Sequence, residues 1–187
     1  MKKFVVLSYL VILAAFLNAQ TVEIIYNFIG DVTLRHWYSD TCIVREMVNI
    51  PPILMLDKVD FRNKQVISQI KEYNDISYNS TNAVTSFKAL KKKKLYDHVR
   101  VTFSDKTRTV LGIECRYASV TDKTTIYDVW YAPLADFEKL DYNFHSRYKD
   151  VPGVVLEEYM NGHLIMQAVK IERGKWCQCN WTDYRGL

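Results

Sequence analysis

The side chains best suited to metal binding or nucleophilic chemistry in this sequence are its four histidines and four cysteines. His36, His98, His145 and His163 fall in different segments. None has a second His, Cys or carboxylate at ligand spacing on the same expected element, as a metal site would require. They read as isolated surface histidines. Cys177 and Cys179 are separated by Gln178 alone, whereas zinc frameworks use two to four intervening residues. A disulfide between such near neighbours is strained, so an oxidised chain is expected to link one of them to Cys42 or Cys115, and four cysteines allow three pairings. Glu157 and Glu158 are adjacent, and on a strand adjacent side chains point to opposite faces, so they do not make a carboxylate pair acting on one substrate. There is no G-x-S-x-G elbow and no catalytic-cysteine signature. A triad assembled from distant positions would leave no such mark. No catalytic residue, cofactor site or metal site is assigned. Asn79-Ser80-Thr81 and Asn180-Trp181-Thr182 fit the eukaryotic glycosylation acceptor, and in a bacterial protein they are chance matches.

The elements that carry these residues follow from length and composition. The 187 residues are 49% hydrophobic, 13% aromatic and 25% charged, with six Gly and four Pro. That excludes a disordered or low-complexity chain and predicts one domain with a proper core. Met1-Lys2-Lys3, the apolar run Phe4 to Leu17 and the small polar stretch Asn18-Ala19-Gln20 match the three regions of a secretory signal peptide. A spanning helix needs about 20 apolar residues, more than this run provides. Residues 1–20 are therefore expected to be a removable leader, with 21–187 as an exported domain of the periplasm or exterior that has no transmembrane segment. Without Lys2 and Lys3, 23 basic residues face 21 acidic ones. That balance is too even for a nucleic-acid partner.

Along the mature chain the pattern is of strands. Val22 to Phe28, Val32 to Tyr38 and Cys42 to Val48 are β-branched and aromatic runs separated by turn residues, and Pro51-Pro52 stops the third. Ile53 to Leu56 and Gln65 to Ile70 flank a polar turn at Asp60 to Lys64. Asn74 to Ala83, rich in Asn, Ser and Thr, reads as a loop, followed by a short helix through Val84 to Lys92. The lysine run Lys91 to Lys94 reads as a solvated edge that blocks sheet aggregation, in preference to an anionic-lipid site. Val99, Val101 and Phe103 alternate with polar residues at period two. A turn at Asp105 to Arg108 is expected to reverse the chain, with strands Val110 to Val120 and Thr124 to Ala132 after it. Val154 to Met160 and His163 to Ile171 flank Asn161-Gly162, which suits a type I′ turn. The predicted fold is mostly β, a single curved antiparallel sheet with at most one or two short helices.

Three pieces in fixed order are Leu111-Gly112-Ile113-Glu114-Cys115, Val129-Trp130-Tyr131-Ala132-Pro133 and Asp150-Val151-Pro152-Gly153-Val154-Val155-Leu156-Glu157. Over roughly residues 110–171 the chain resembles the exported Bacteroidetes family named for a Gly-Leu-Pro-Gly-Leu-Ile motif. Pro152 and Gly153 match that motif outright, Val151, Val154 and Val155 are apolar replacements, and Asp150 stands in place of its first Gly. The resemblance implies an exported antiparallel half-barrel similar to the lipoprotein-carrier architecture, and no activity. Gly112, Cys115, Trp130, Tyr131, Pro152 and Gly153 are the structural motif residues. In physical terms Pro152 fixes φ and Gly153 permits angles closed to other residues, so the pair should turn the chain into the strand at Val154. Trp130, Ile126 and Asp128 share one side of their strand and Tyr127, Val129 and Tyr131 the other, and both faces should be covered.

Two functions fit. The first is a non-enzymatic binding or carrier module whose curved sheet holds a lipid, another hydrophobic molecule or an envelope protein partner. The second is an exported enzyme of unassigned chemistry. The interior of the sheet discriminates between them, because an apolar groove favours binding and titratable groups converging in a cleft favour catalysis. The segment Val84 to Lys92 is the expected plug if the concavity is filled.

Overall fold

Short runs of β-branched and aromatic residues, broken by turns, form a first set of strands: β1 (Val22–Phe28), β2 (Val32–Tyr38), β3 (Cys42–Ile50), β4 (Ile53–Asp60), β5 (Gln65–Asn74) and β6 (Ser77–Ser86). One helix, α1 (Phe87–Lys92), leads to a second set: β7 (Arg100–Val110), β8 (Ile113–Asp122), β9 (Thr125–Ala132), β10 (Val154–Met160) and β11 (His163–Arg173). This computed structural model describes residues 21–50, 53–74, 77–133 and 140–174. The strands make one 11-stranded antiparallel sheet in the order β6-β5-β4-β3-β2-β1-β11-β10-β9-β8-β7. Two meanders thus lie side by side, joined where Val22 pairs with Arg173 and Phe28 with Met166. The edges β6 and β7 do not pair with each other among the described residues, so the sheet is a curved half-barrel and not a closed barrel.

Chain length explains the curl. Laid flat, eleven strands about 4.8 Å apart would separate the two edges by about 48 Å. Residues 87–99, which connect those edges, include a six-residue helix. At about 1.5 Å per helical residue and about 3.4 Å per extended one they reach about 35 Å at most. The edges must therefore approach each other. Val22, Ile24 and Tyr26 pair with Tyr38, His36 and Leu34 on the inner face, and Ile43, Val59, Val129, Val154 and Leu156 continue this core at 0 to 1% exposure.

Four local expectations are corrected. Asn74 to Ala83 is not a loop, since β6 pairs with β5 along its whole length, from Gln65 opposite Ser86 to Asn74 opposite Ser77. An edge strand with exposed faces needs no apolar period, and backbone pairing alone holds it. The helix starts at Phe87, where the Ser86 hydroxyl accepts the Ala89 N–H at 3.2 Å as an N-cap. The lysine run lies at the carboxyl end of α1 and just beyond it, where the helix dipole favours cations, and not on an edge strand. Asp105 to Arg108 does not reverse the chain: β7 bulges between Ser104 and Thr107 and continues to Val110. The reversal comes at Leu111 and Gly112, whose φ angles are 50° and 79°.

Candidate functional site

Residues 140–153, between β9 and β10, fold into the concavity and fill much of it. Arg45 on β3 reaches across and donates from Nη2 to the carbonyls of Tyr142 (3.3 Å) and Phe144 (3.4 Å). The Phe144 ring stacks on Phe87 of α1 at 4.0 Å and meets Phe61 edge-on at 6.1 Å. Tyr142 meets Tyr38 at 5.7 Å, and the Arg147 guanidinium lies 4.2 Å from the Tyr127 ring centre. Asn143 is 8% exposed, and its Nδ2 donates to the carbonyls of Val151 (3.0 Å) and Gly153 (2.8 Å), which closes the segment on itself. The plug is thus this aromatic segment together with α1, and it ties the first meander to the second.

Beneath the plug remains a cavity of about 170 Å³ lined by Tyr26, His36, Tyr38, Arg45, Tyr148 and Glu158, among others. The Tyr38 hydroxyl lies 3.4 Å from His36 Nδ1 and the Tyr26 ring 4.9 Å from the imidazole. Burial, with the Arg45 charge adding to it, lowers the His36 pKa to about 3, so the ring is neutral at neutral pH. Burial raises the Glu158 pKa, and the Tyr148 hydroxyl and Arg147 oppose part of that shift. Arg45 is engaged by two plug carbonyls, and the phenols and imidazole lie against one another. Arg45 thus braces the plug, while the Tyr148 hydroxyl is buried with no hydrogen-bond partner among the described residues.

A second cavity lies at the mouth of the half-barrel, beside α1. Its volume is about 340 Å³, and it has a floor of Leu90, Leu95, Tyr96 and Phe144, with Lys91, Lys94 and Lys149 around it. Lys149 Nζ lies 3.4 Å from Asp97 Oδ1, and His145 meets Tyr96 edge-on at 5.9 Å. Burial and the nearby Lys93 charge lower the His145 pKa. An apolar floor beside ammonium groups suits an amphiphile with an acidic head. Another hollow, of about 380 Å³, lies where Phe103, Tyr131 and Pro152 meet beside the β7 bulge.

The motif residues are distributed through the second meander. Gly112 is a turn residue, and Cys115 is fully buried in the core. Tyr131 is buried, whereas Trp130 packs between Tyr117 (5.3 Å) and the Arg108 guanidinium (4.8 Å). Ile126 on the Trp130 side is 47% exposed, so that face of β9 is covered only in part. Pro152 is exposed, and Gly153 leads into β10 as expected, for a reason other than unusual angles. Its φ is not among the positive ones. Instead, a Cβ there would sit 2.6 Å from the Ala132 carbonyl oxygen. Glu157 and Glu158 do diverge: Glu157 is 2% exposed and pairs with Arg108 and Gln167, while Glu158 faces the inner cavity. Of the histidines, only His98 and His163 are surface residues. His36 is interior, and His145 lines the mouth. Among the described residues no cluster of His, Cys, Asp or Glu could hold a metal ion, and no helix is long and apolar enough to cross a membrane. Residues 1–20, Pro51-Pro52, Cys177, Cys179 and Asn180 lie outside the described residues, and Asn79 is exposed on β6.

Sequence reasoning missed Arg45, Tyr142 and Asn143. The available signal was length: the β9 to β10 connection is a long, aromatic-rich stretch where the neighbouring hairpins use tight turns. No family model matches the chain, and no curated protein does. Solved structures of PNGF-II do resemble it. In a C2 crystal form the TM-score is 0.58 at 16% identity over 90% of this chain, and in a P21 form it is 0.55 at 17% over 85%. The chain spans about 30% of the length of PNGF-II. The likeness is one of fold.

Proposed function

We propose that this protein is an exported, non-enzymatic binding module of the cell envelope, a divergent relative of the Gly-Leu-Pro-Gly-Leu-Ile family, and that it binds at the mouth of the half-barrel. Its ligand is a hydrophobic molecule with an acidic head group. The observation that carries this reading is the mouth cavity, whose apolar floor of Leu90, Leu95 and Phe144 adjoins Lys91 and Lys94. Its volume of about 340 Å³ is within the usual range for small-molecule sites. The cation of the inner chamber, Arg45, is engaged in holding the plug through the carbonyls of Tyr142 and Phe144, which leaves the mouth as the site where a ligand would meet free ammonium groups.

The test is a titration of the folded, mature protein with anilinonaphthalene sulfonate, an anionic fluorescent amphiphile, followed by displacement with a long-chain fatty acid. Saturable binding is expected, and the double substitution Lys91→Glu, Lys94→Glu should weaken it about tenfold, or about 1.4 kcal/mol. Absence of saturable binding to protein with native circular dichroism would reject the reading.

A further inference from the structure

The inner chamber contains a polar atom that the fold leaves unsatisfied. Tyr148 of the plug lines this chamber, and its hydroxyl is buried with no hydrogen-bond partner among the described residues. The Glu158 carboxyl on β10 lines the same space. It is close enough that each group shifts the other's titration, but it does not stand in hydrogen-bonding geometry to the phenol. A buried hydroxyl without a bond carries the whole cost of its lost hydration. A hydroxyl placed between the two would remove that cost, because it can accept from Tyr148 and donate to Glu158 at once. A carboxyl offers an acceptor oxygen in either protonation state.

The walls set the rest of the ligand. The rings of Tyr26, His36 and Tyr38 and the side chains of Val155 and Met166 surround the space, so what lies between them must be apolar or aromatic. Tyr26 packs on His36 at 4.9 Å and Tyr38 on Tyr142 at 5.7 Å, and these contacts form the walls in advance of binding. Charge is excluded on both sides. A cation would meet Arg45. An anion would meet Glu158 and find Arg45 already held by the carbonyls of Tyr142 and Phe144, while the buried His36 is neutral. The volume of about 170 Å³ is half that of the mouth cavity. It is close to the roughly 150 Å³ of an apolar protein cavity that accepts benzene, so one six-membered ring fits.

We propose that the inner chamber is a second binding site, separate from the mouth, and that it takes a small uncharged aromatic molecule bearing a hydroxyl, of the phenol class. The ring lies among Tyr26, Tyr38 and Met166, and the hydroxyl bridges Tyr148 and Glu158. Tyr148 belongs to the plug and Glu158 to the sheet, so an occupied chamber also fastens one to the other.

Phenol itself is the probe, titrated into the folded, mature protein and followed through backbone amide resonances. Saturable shifts are expected at Val155, Glu158 and Met166. Tyr148→Phe keeps the ring in the wall and removes only the unbonded hydroxyl, so the variant should fold. Phenol should bind it about tenfold more weakly than it binds the parent. Toluene, which has no hydroxyl to place, should bind the variant no worse than the parent. Saturating anilinonaphthalene sulfonate, the probe of the mouth, should leave phenol bound, so this site and the mouth site stand or fall separately. Any one of four results overturns the proposal: no saturable shift with phenol, equal phenol affinity in Tyr148→Phe and the parent, an equal loss for toluene, or displacement by the mouth probe with shifts confined to Leu90 to Tyr96.

Discussion

Gly153→Ala should destabilise the fold although the backbone at Gly153 has no left-handed φ. The added Cβ would lie 2.6 Å from the Ala132 oxygen, 2.7 Å from its carbonyl carbon and 3.0 Å from the Pro133 nitrogen. All three atoms are main chain, so no side-chain rotation relieves the overlap. The last residue of β9 must move away from Val154, its partner on β10. Any shift of Gly153 itself also strains the Asn143 hydrogen bond to its carbonyl, 2.8 Å long. Overpacking of this kind costs about 1 to 3 kcal/mol. For a domain of this size that corresponds to a fall in Tm of roughly 2 to 12 °C. The control is Gly162, at φ 84° with nothing within 4 Å of a built Cβ. Asn tolerates the left-handed region, so Gly162→Asn should cost a few tenths of a kcal/mol at roughly the level of a turn preference, while Gly153→Asn should cost as much as Gly153→Ala or more. Thermal unfolding followed by circular dichroism compares the set. Equal Tm for Gly153→Ala and the parent would refute the close-contact account.

Arg45→Met removes both charged hydrogen bonds to the plug, and the urea midpoint should fall by an amount equivalent to about 1 to 3 kcal/mol. An unchanged midpoint would mean that the plug does not depend on it. His36, with its folded pKa lowered to about 3, should make the protein acid-labile. Its contribution is fully present above the unfolded value near 6.5 and is lost as pH falls towards 3, by about 5 kcal/mol at most. His36→Phe should flatten the urea stability profile between those pH values, and an unaltered slope would count against a buried neutral imidazole. Glu158 acts with the opposite sign: its raised pKa makes stability decline as pH rises above the unfolded carboxylate value. Glu158→Gln should therefore be more stable than the parent at neutral pH by chemical denaturation. Arg108→Met strands the Glu157 carboxylate, which is 2% exposed, at a cost of about 3 kcal/mol, and adding Glu157→Met should recover most of it. Failure of the double variant to recover would show that the pair is not the coupled unit.

Elements whose residues satisfy a local rule were legible in the sequence. Val22 to Phe28 and Val154 to Met160 bury apolar side chains in the sheet, and Asn161 and Gly162 take φ angles of 50° and 84° in their turn. The sequence misled where structure is held by partners distant along the chain. β6 carries Asn, Ser and Thr because both its faces are exposed, and its strand state comes from pairing with β5. The bulge in β7 looks like a turn because Asp105 and Lys106 are turn-forming residues, but pairing with β8 continues through it. The mouth site combines α1 with residues 140–153, brought together by the stacking of Phe87 on Phe144. No spacing rule encodes that meeting, since it depends on how far the sheet curls.

The pairing of β1 with β11 also sets the order in which the fold can be assembled. Every other neighbouring pair of strands in the sheet is consecutive in sequence, so apart from the long connection between β9 and β10 each meander is a series of local hairpins that can form as the chain becomes available. The β1–β11 ladder instead joins Val22 to Arg173, near opposite ends of the described chain. Contacts of such separation carry the largest loop-closure cost and form late. Until they do, both faces of the junction present unpaired backbone edges. One half is bounded by β1 and the other by β11, each an open template for a second molecule. The period before the seam closes is therefore when this chain is most exposed to exchanging halves between copies, and the strength of the β1–β11 register is what limits it.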